Sequence, residues 1–146
     1  MKDRLDKYID FHRENGGTGK LFKFRLVDYS KENLVLEGEF SNFSLNPDGS
    51  VQGGMMTSML DDVTSLLIII ETKGQIYPAS TDLHTLHHRP LMKGKVKAKA
   101  TIIKKGNKIA TTKGELFDSE GKLVTTLLHT SYLVNKSIKR THTKSE

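Results

Sequence analysis

The chain has 146 residues, 23 Lys and Arg against 17 Asp and Glu, a net charge of +6 and no cysteine. That length fits one domain, and the missing thiols exclude a disulfide framework, a cysteine nucleophile and a thiolate metal site. The first residues, Met1 to Asp6, carry no apolar signal core, and the longest apolar run, Leu66 to Ile70, is far too short to span a bilayer, so a cytoplasmic protein with no membrane partner is expected. The basic excess gathers in Lys93 to Lys99, in Lys104 to Lys108 and in a tail from Lys136 to Glu146, which reads as a basic, solvated end outside a single domain over 1–135. It fits an anionic small ligand; no basic helix or aromatic stacking pattern points to nucleic acid.

Residues 3–14 place Leu5, Tyr8, Ile9 and His12 on one helical face, and Gly16 and Gly17 end that helix. Leu21 to Val27 alternates as a strand, Tyr29 to Asn33 makes a turn, and Leu34 to Phe40 returns as the second arm of a hairpin. Asn46, Pro47, Asp48 and Gly49 then form a strong turn signal, because Pro fixes φ and Gly accepts a positive one.

Gly53 and Gly54 open a long helix that runs to about Glu71 and stops at Lys73 and Gly74. It spans close to 30 Å and is apolar on most sides, from Met55, Met56 and Met59 to Ile70, so it belongs in an interior. The hydrophobic share of 36% is modest for so apolar a helix, which predicts cover from a partner subunit. Four strands follow, near 79–88, 95–104, 109–117 and 123–134, with turns at Lys105 to Lys108 and at Asp118 to Gly121, as in an antiparallel meander. About six strands and one long helix predict an α+β fold with the sheet wrapped around the helix.

Two features of the long helix point to chemistry. Gly53 and Gly54 carry no β-carbons, so a ligand can approach the unpaired first-turn amides, where the dipole is positive. Two turns on, Asp61 stands between Leu60 and Asp62 in an otherwise apolar stretch, where a carboxylate is costly unless it is paired or used.

The order of elements, with Asn46, Gly49, Gln52, Gly53 and Gly54 running into Leu60 and Asp61, resembles the hotdog-fold thioesterases, in the branch typified by phenylacetyl-CoA thioesterases. The resemblance covers roughly Phe40 to Val134, and Ser80 with Asp82, and Arg89 and Pro90 followed by Gly94, also fit it. It departs at Gln52, where the family pattern usually has His.

The resemblance implies hydrolysis of a small or medium acyl-CoA or aryl-acyl-CoA, with Asp61 as general base or nucleophile, the Gly53 amide as oxyanion donor supported by Asn46, and Ser80 orienting the water. It implies a site between two subunits, Asn46 and Gly53 from one and Asp61 and Ser80 from the other, in a homodimer or a homotetramer built as a dimer of dimers. Gln52 and Gly54 would line the substrate. Lys105, Gly106, Asn107 and Lys108, in the turn between two strands, and Arg89 would meet coenzyme A phosphates, unless they are an ordinary solvated turn and a surface ion pair. No cofactor beyond the substrate's own coenzyme A is implied.

Asp62 lies about 100° round the helix from Asp61 and is expected at a subunit contact or beside a basic group. His84, His87 and His88 share a strand, with His84 and His88 on one face, but no carboxylate or Cys completes a metal set. Gln52 in place of His keeps a rival open, a hotdog protein that binds acyl-CoA without turning it over.

Overall fold

The structure, a computed structural model, describes residues 2–136. The tail expected from 136 onward lies outside the described residues except for Lys136. In chain order the elements are α1 (Lys2–Asn15), α2 (Gly17–Phe22), β1 (Arg25–Ser30), β2 (Asn33–Phe40), a 3-10 turn (Asn42–Ser44), α3 (Gly53–Glu71), β3 (Ile76–His87), β4 (Gly94–Lys105), β5 (Ile109–Phe117) and β6 (Leu123–Asn135).

The strands form one antiparallel sheet in the order β1-β2-β4-β5-β6-β3, and α3 packs on its inner face against β2 through β6. Alternation does the sorting. In β2, Leu34, Leu36 and Phe40 point inward, and in β4, Val96, Ala98, Ala100 and Ile102 do. They meet Met56, Met59, Leu60, Val63, Leu67 and Ile68 of α3, each worth about 1.5–3 kcal/mol in burial. Small residues let the helix come close. A β-carbon on Gly38 would stand 2.8 Å from Met59 Cε, and one on Gly114 would stand 3.1 Å from Leu60 Cβ.

The far end of α3 is tied to the β1–β2 turn. Glu71 accepts from the Tyr29 hydroxyl at 2.8 Å and from the Glu32 amide at 2.5 Å. Burial and that carboxylate together push the Tyr29 phenol up to about 12.

Three expectations need correction. The strand expected over 21–27 begins at Arg25, because Gly17–Phe22 forms a short helix that buries Phe22 and leaves through Lys23 in the left-handed region, φ 53°. The turn expected over Tyr29 to Asn33 shrinks to Lys31 and Glu32, with Tyr29 inside β1. The meander holds only for β4, β5 and β6: β3 pairs with β6 and closes the sheet as its outer edge. α3 itself is enclosed on one side only, since Gly54 is exposed and Ser58, Asp61, Asp62, Ser65 and Ile69 are half-buried in the single chain.

The elbow between α1 and α2 yields a test. A β-carbon on Gly19 would fall 1.8 Å from the His12 carbonyl oxygen, whereas one on Gly17 meets nothing within 4 Å. Gly19→Ala should therefore lose about 1–3 kcal/mol by forcing the backbones apart, and Gly17→Ala should stay within about 0.5 kcal/mol of the parent. Urea midpoints of the two variants check this; equal losses would contradict the close approach.

Candidate active site

Polar side chains collect along the seam where α3 runs beside β3. At one end Gly53 faces His87, in the middle Thr57 Oγ1 meets Thr85 Oγ1 at 2.9 Å, and at the other end Asp61 faces Ser80 and His129. The β3–β6 register explains the convergence on β6, because Ser80 lies opposite Ser131 and His87 opposite Thr125, with His129 between them on the same inward face.

His129 is fully buried and organises the Asp61 end. Thr64 donates its hydroxyl hydrogen to the Leu60 carbonyl at 2.8 Å, so at 2.7 Å it accepts from His129 Nδ1–H. That leaves Nε2 with its lone pair, and Ser80 donates to it at 2.7 Å. Ser131 Oγ lies 3.2 Å from the same nitrogen. The Ser80 hydrogen is thus committed to His129, and Asp61 Oδ1 is left with longer contacts, 3.3 Å to Ser80 Oγ and 3.6 Å to His129 Nε2.

Burial is the largest cause that pushes the Asp61 carboxyl above its ordinary value, and the neighbouring Asp62 adds to it. Burial likewise pushes His129 below its ordinary value, against the pull of Asp61 and Asp82, so the imidazole is neutral at pH 7. A half-buried carboxylate with incomplete hydrogen bonding, beside a hydroxyl fixed by a neutral imidazole, is a proton acceptor facing an open seam.

Asp62 turns the other way, with its Oδ2 3.2 Å from His12 Nε2 on α1. The contact is close but lacks hydrogen-bond geometry, since that oxygen has no hydrogen-bond partner. It matches the expectation of a basic neighbour.

At the opposite end, Gln52 precedes α3 in an extended conformation and gives no side-chain cap, so the amides of Gly53 and Gly54 belong to an uncapped first turn. A β-carbon on Gly53 would stand 3.0 Å from His87 Nε2. Asn46 is held within its own loop: its amide nitrogen donates to Ser50 Oγ at 3.2 Å, and Asp48 closes the same turn. Eight residues of helix separate Gly53 from Asp61, about 12 Å, so within one chain the oxyanion donor and the carboxylate cannot reach one carbonyl group.

The expected phosphate contacts are also split. Arg89 follows the end of β3, where His88 N–H meets the Val124 carbonyl, while the turn of Lys105, Gly106, Asn107 and Lys108 sits where the Leu133 N–H meets the Lys108 carbonyl. Nine residues of β6 put these about 30 Å apart in a single chain. Both are exposed. His84 is exposed on the outer face and His88 is paired with Thr126; among the described residues no three His, Asp or Glu gather as a metal site.

The sequence reading passed over His129. Its strand alternates as any half-buried strand does, and only the pairing of β3 with β6 brings it to Ser80.

A profile of the thioesterase superfamily matches residues 48–125, more than half of the chain. Among solved structures, a phenylacetic acid degradation-related protein from Ralstonia eutropha is 29% identical, with a TM-score of 0.73 over 86% of this chain and 98% of that one. A thioesterase from Haemophilus influenzae is 20% identical, with a TM-score of 0.78 over 88% of this chain and 89% of that one. A Streptococcus mutans protein bound to acetyl-CoA is 15% identical, with a TM-score of 0.70 over 77% and 89%. No curated protein matches the sequence. The architecture is the hotdog fold of this superfamily.

The raised Asp61 pKa has a consequence for stability. In the unfolded chain the carboxyl titrates at its ordinary 3.8, and in the fold it titrates higher, so between those two values the native state holds the extra proton and stability falls as pH rises. Above that window the ionised group is a constant burden. Asp61→Asn should therefore be more stable than the parent at pH 7, with the gain shrinking as pH falls toward 4. Urea midpoints across that range check it; a parent more stable than the variant at pH 7 would contradict the assignment.

Proposed function

This chain belongs to the thioesterase superfamily, and we propose that it is an acyl-CoA thioesterase in which Asp61 activates a water against the thioester carbonyl. The observation that carries the reading is the half-buried Asp61 carboxylate beside Ser80, whose hydroxyl is fixed by His129. Coenzyme A as the carrier is supported by the structural likeness to a protein bound to acetyl-CoA.

In the proposed reaction Asp61 takes a proton from water as the oxygen attacks the carbonyl carbon. The resulting oxyanion accepts from the Gly53 amide at the positive end of α3, a single-donor contribution of about 3–4 kcal/mol. The C–S bond then breaks, the thiolate leaves and takes up a proton, and a carboxylic acid remains. Ser80 positions the water, and His129 and Thr64 hold Ser80. The 2.7 Å Ser80–His129 pair favours one second reading, Ser80 as an acylated nucleophile with His129 as its base. An acyl adduct on Ser80 seen by mass spectrometry under turnover would decide for it.

Because Gly53 and Asp61 are about 12 Å apart on one helix, each site takes Asp61, Ser80 and His129 from one chain and Gly53 from a second. The seam supports this, since its two ends carry complementary halves, which a two-fold axis beside β3 would set against one another in the proposed dimer. β3 is a twelve-residue edge strand and so a ready pairing surface. In that dimer Arg89 of one chain would approach the Lys105–Lys108 turn of the other, so that both could meet coenzyme A phosphates. Leu86, Leu128, Tyr132 and Ile109, exposed on the outer face of β3, β6 and β5, offer apolar ground for a dimer of dimers. The rival of binding without turnover draws on Gln52, which stands where the family pattern usually has His.

Asp61→Asn should lower kcat at least about 100-fold while the assembly stays folded, and Asp62→Asn, whose side chain faces α1, should keep most activity. Release of free thiol from acyl-CoA measures both; loss in the second and not the first would move the base by one residue. Replacing Lys105, Lys108 and Arg89 with Ala should raise KM, with the effect of the charges fading at high salt and kcat near that of the parent. A fall in kcat at unchanged KM would refute their role as phosphate contacts.

A further inference from the structure

Two histidines stand on the inward face of the seam, and their hydroxyl partners give them opposite roles. At the Asp61 end, Thr64 commits its hydrogen to the Leu60 carbonyl, so His129 Nδ1 donates to Thr64 and Nε2 is left as an acceptor. At the Gly53 end, His87 Nδ1 lies 3.1 Å from Thr125 Oγ1. The other contact of that hydroxyl is Met56 Sδ, at 3.4 Å. A thioether is a weak acceptor and an imidazole nitrogen a strong one. The Thr125 hydrogen therefore goes to His87 Nδ1, and the ring's own hydrogen sits on Nε2. An imidazolium carries a hydrogen on Nε2 as well, so either form presents a donor there.

The strand register aims this donor. His87 lies opposite Thr125 in the β3–β6 ladder, and Thr125 is fully buried, so the hydroxyl that holds the ring is itself fixed. Among the described residues Nε2 has no hydrogen-bond partner. It stands 3.0 Å from the place a β-carbon on Gly53 would take. That place is bonded to the Cα that also carries the Gly53 amide nitrogen. The ring donor and the first donor of the uncapped helix are thus neighbours, and one oxygen can accept from both. Gly53 has no side chain to displace the ring, and His87 is exposed, so a ligand can reach Nε2.

We propose that His87 is a catalytic residue, a second oxyanion donor whose Nε2–H and the Gly53 amide of the same chain together hold the thioester oxygen as it becomes negative. The proposal rests on the thioesterase reading for the identity of the reacting group. His87 transfers no proton. It donates a hydrogen bond that strengthens as charge builds on the oxygen, so its effect falls on kcat rather than on KM.

The test is thiol release from acetyl-, octanoyl- and phenylacetyl-CoA by the full chain. His87→Phe keeps a ring and removes the donor. It should lower kcat about 100-fold, the loss of one oxyanion donor, with KM within about twofold of the parent. His87→Gln, whose amide nitrogen can reach the place of the imidazole Nε2, should recover roughly tenfold over His87→Phe. A role in folding alone would give no such recovery in kcat. His84→Phe, on the outer face of the same strand, should match the parent. A His87→Phe variant with the parent's kcat, or a Gln variant no faster than the Phe variant, would overturn the proposal and leave the thioesterase reading standing. If the parent hydrolyses none of the three, the thioesterase reading fails, and NMR of the imidazole nitrogens decides the donor. The probe is the ketone analogue of acetyl-CoA, with a methylene in place of the thioester sulfur. A hydrogen on His87 Nε2 whose resonance moves when the analogue binds supports the donor. A hydrogen on Nδ1 alone, or an Nε2 resonance that the analogue leaves unmoved, overturns it.

Discussion

A carboxylate held half-buried on an apolar helix is the constraint on which the rest depends. α3 binds the sheet through Met59, Leu60, Val63 and Leu67, which lie on the side opposite the seam or beside it, so its helical register is fixed by packing. Once that register is fixed, Asp61 has to emerge between β3 and β6. There the inward face of β6 brings His129, and His129 takes the Ser80 hydrogen that would otherwise satisfy the carboxylate. The strain is electrostatic: a group taken partly out of water without full hydrogen bonding is destabilised in its charged form and is a stronger base for it.

The same rigidity separates the parts of the proposed reaction. A helix cannot bend eight residues back on itself, so the uncapped glycine amides at its start and the carboxylate two turns on are held apart. Under the thioesterase reading this separation makes assembly part of the chemistry. The free β3 edge, the half-buried stripe of Ser58, Asp61, Ser65 and Ile69 and the split phosphate contacts are then three aspects of one missing surface.

What was legible in the sequence follows the range of the interactions concerned. The bounds of α3 were readable because glycines flank a continuous apolar run, and β5 because two tight turns enclose it. Asp61 stood out by its local incongruity. α2 was not readable, since Gly17, Thr18 and Gly19 have poor helical propensity, and the helix buries Phe22 through a close approach of Gly19 to the His12 carbonyl that local sequence does not announce. The edge position of β3 and the place of His129 were hidden for one reason: both arise from pairing between strands some fifty residues apart, and strand periodicity fixes faces but not neighbours. Asn46 sits in a turn that was legible, and its side-chain nitrogen donates within that turn, to Ser50 Oγ.

The division of the site between chains is most directly tested by complementation. Asp61→Asn and Gly53→Val should each be inactive alone. Unfolded together in equal amounts and refolded, they should form mixed dimers in which one of the two sites has a wild-type carboxylate and a wild-type helix start. Random pairing then restores about one quarter of the parent's thiol-release rate. A mixture that forms dimers and stays inactive would contradict a shared site.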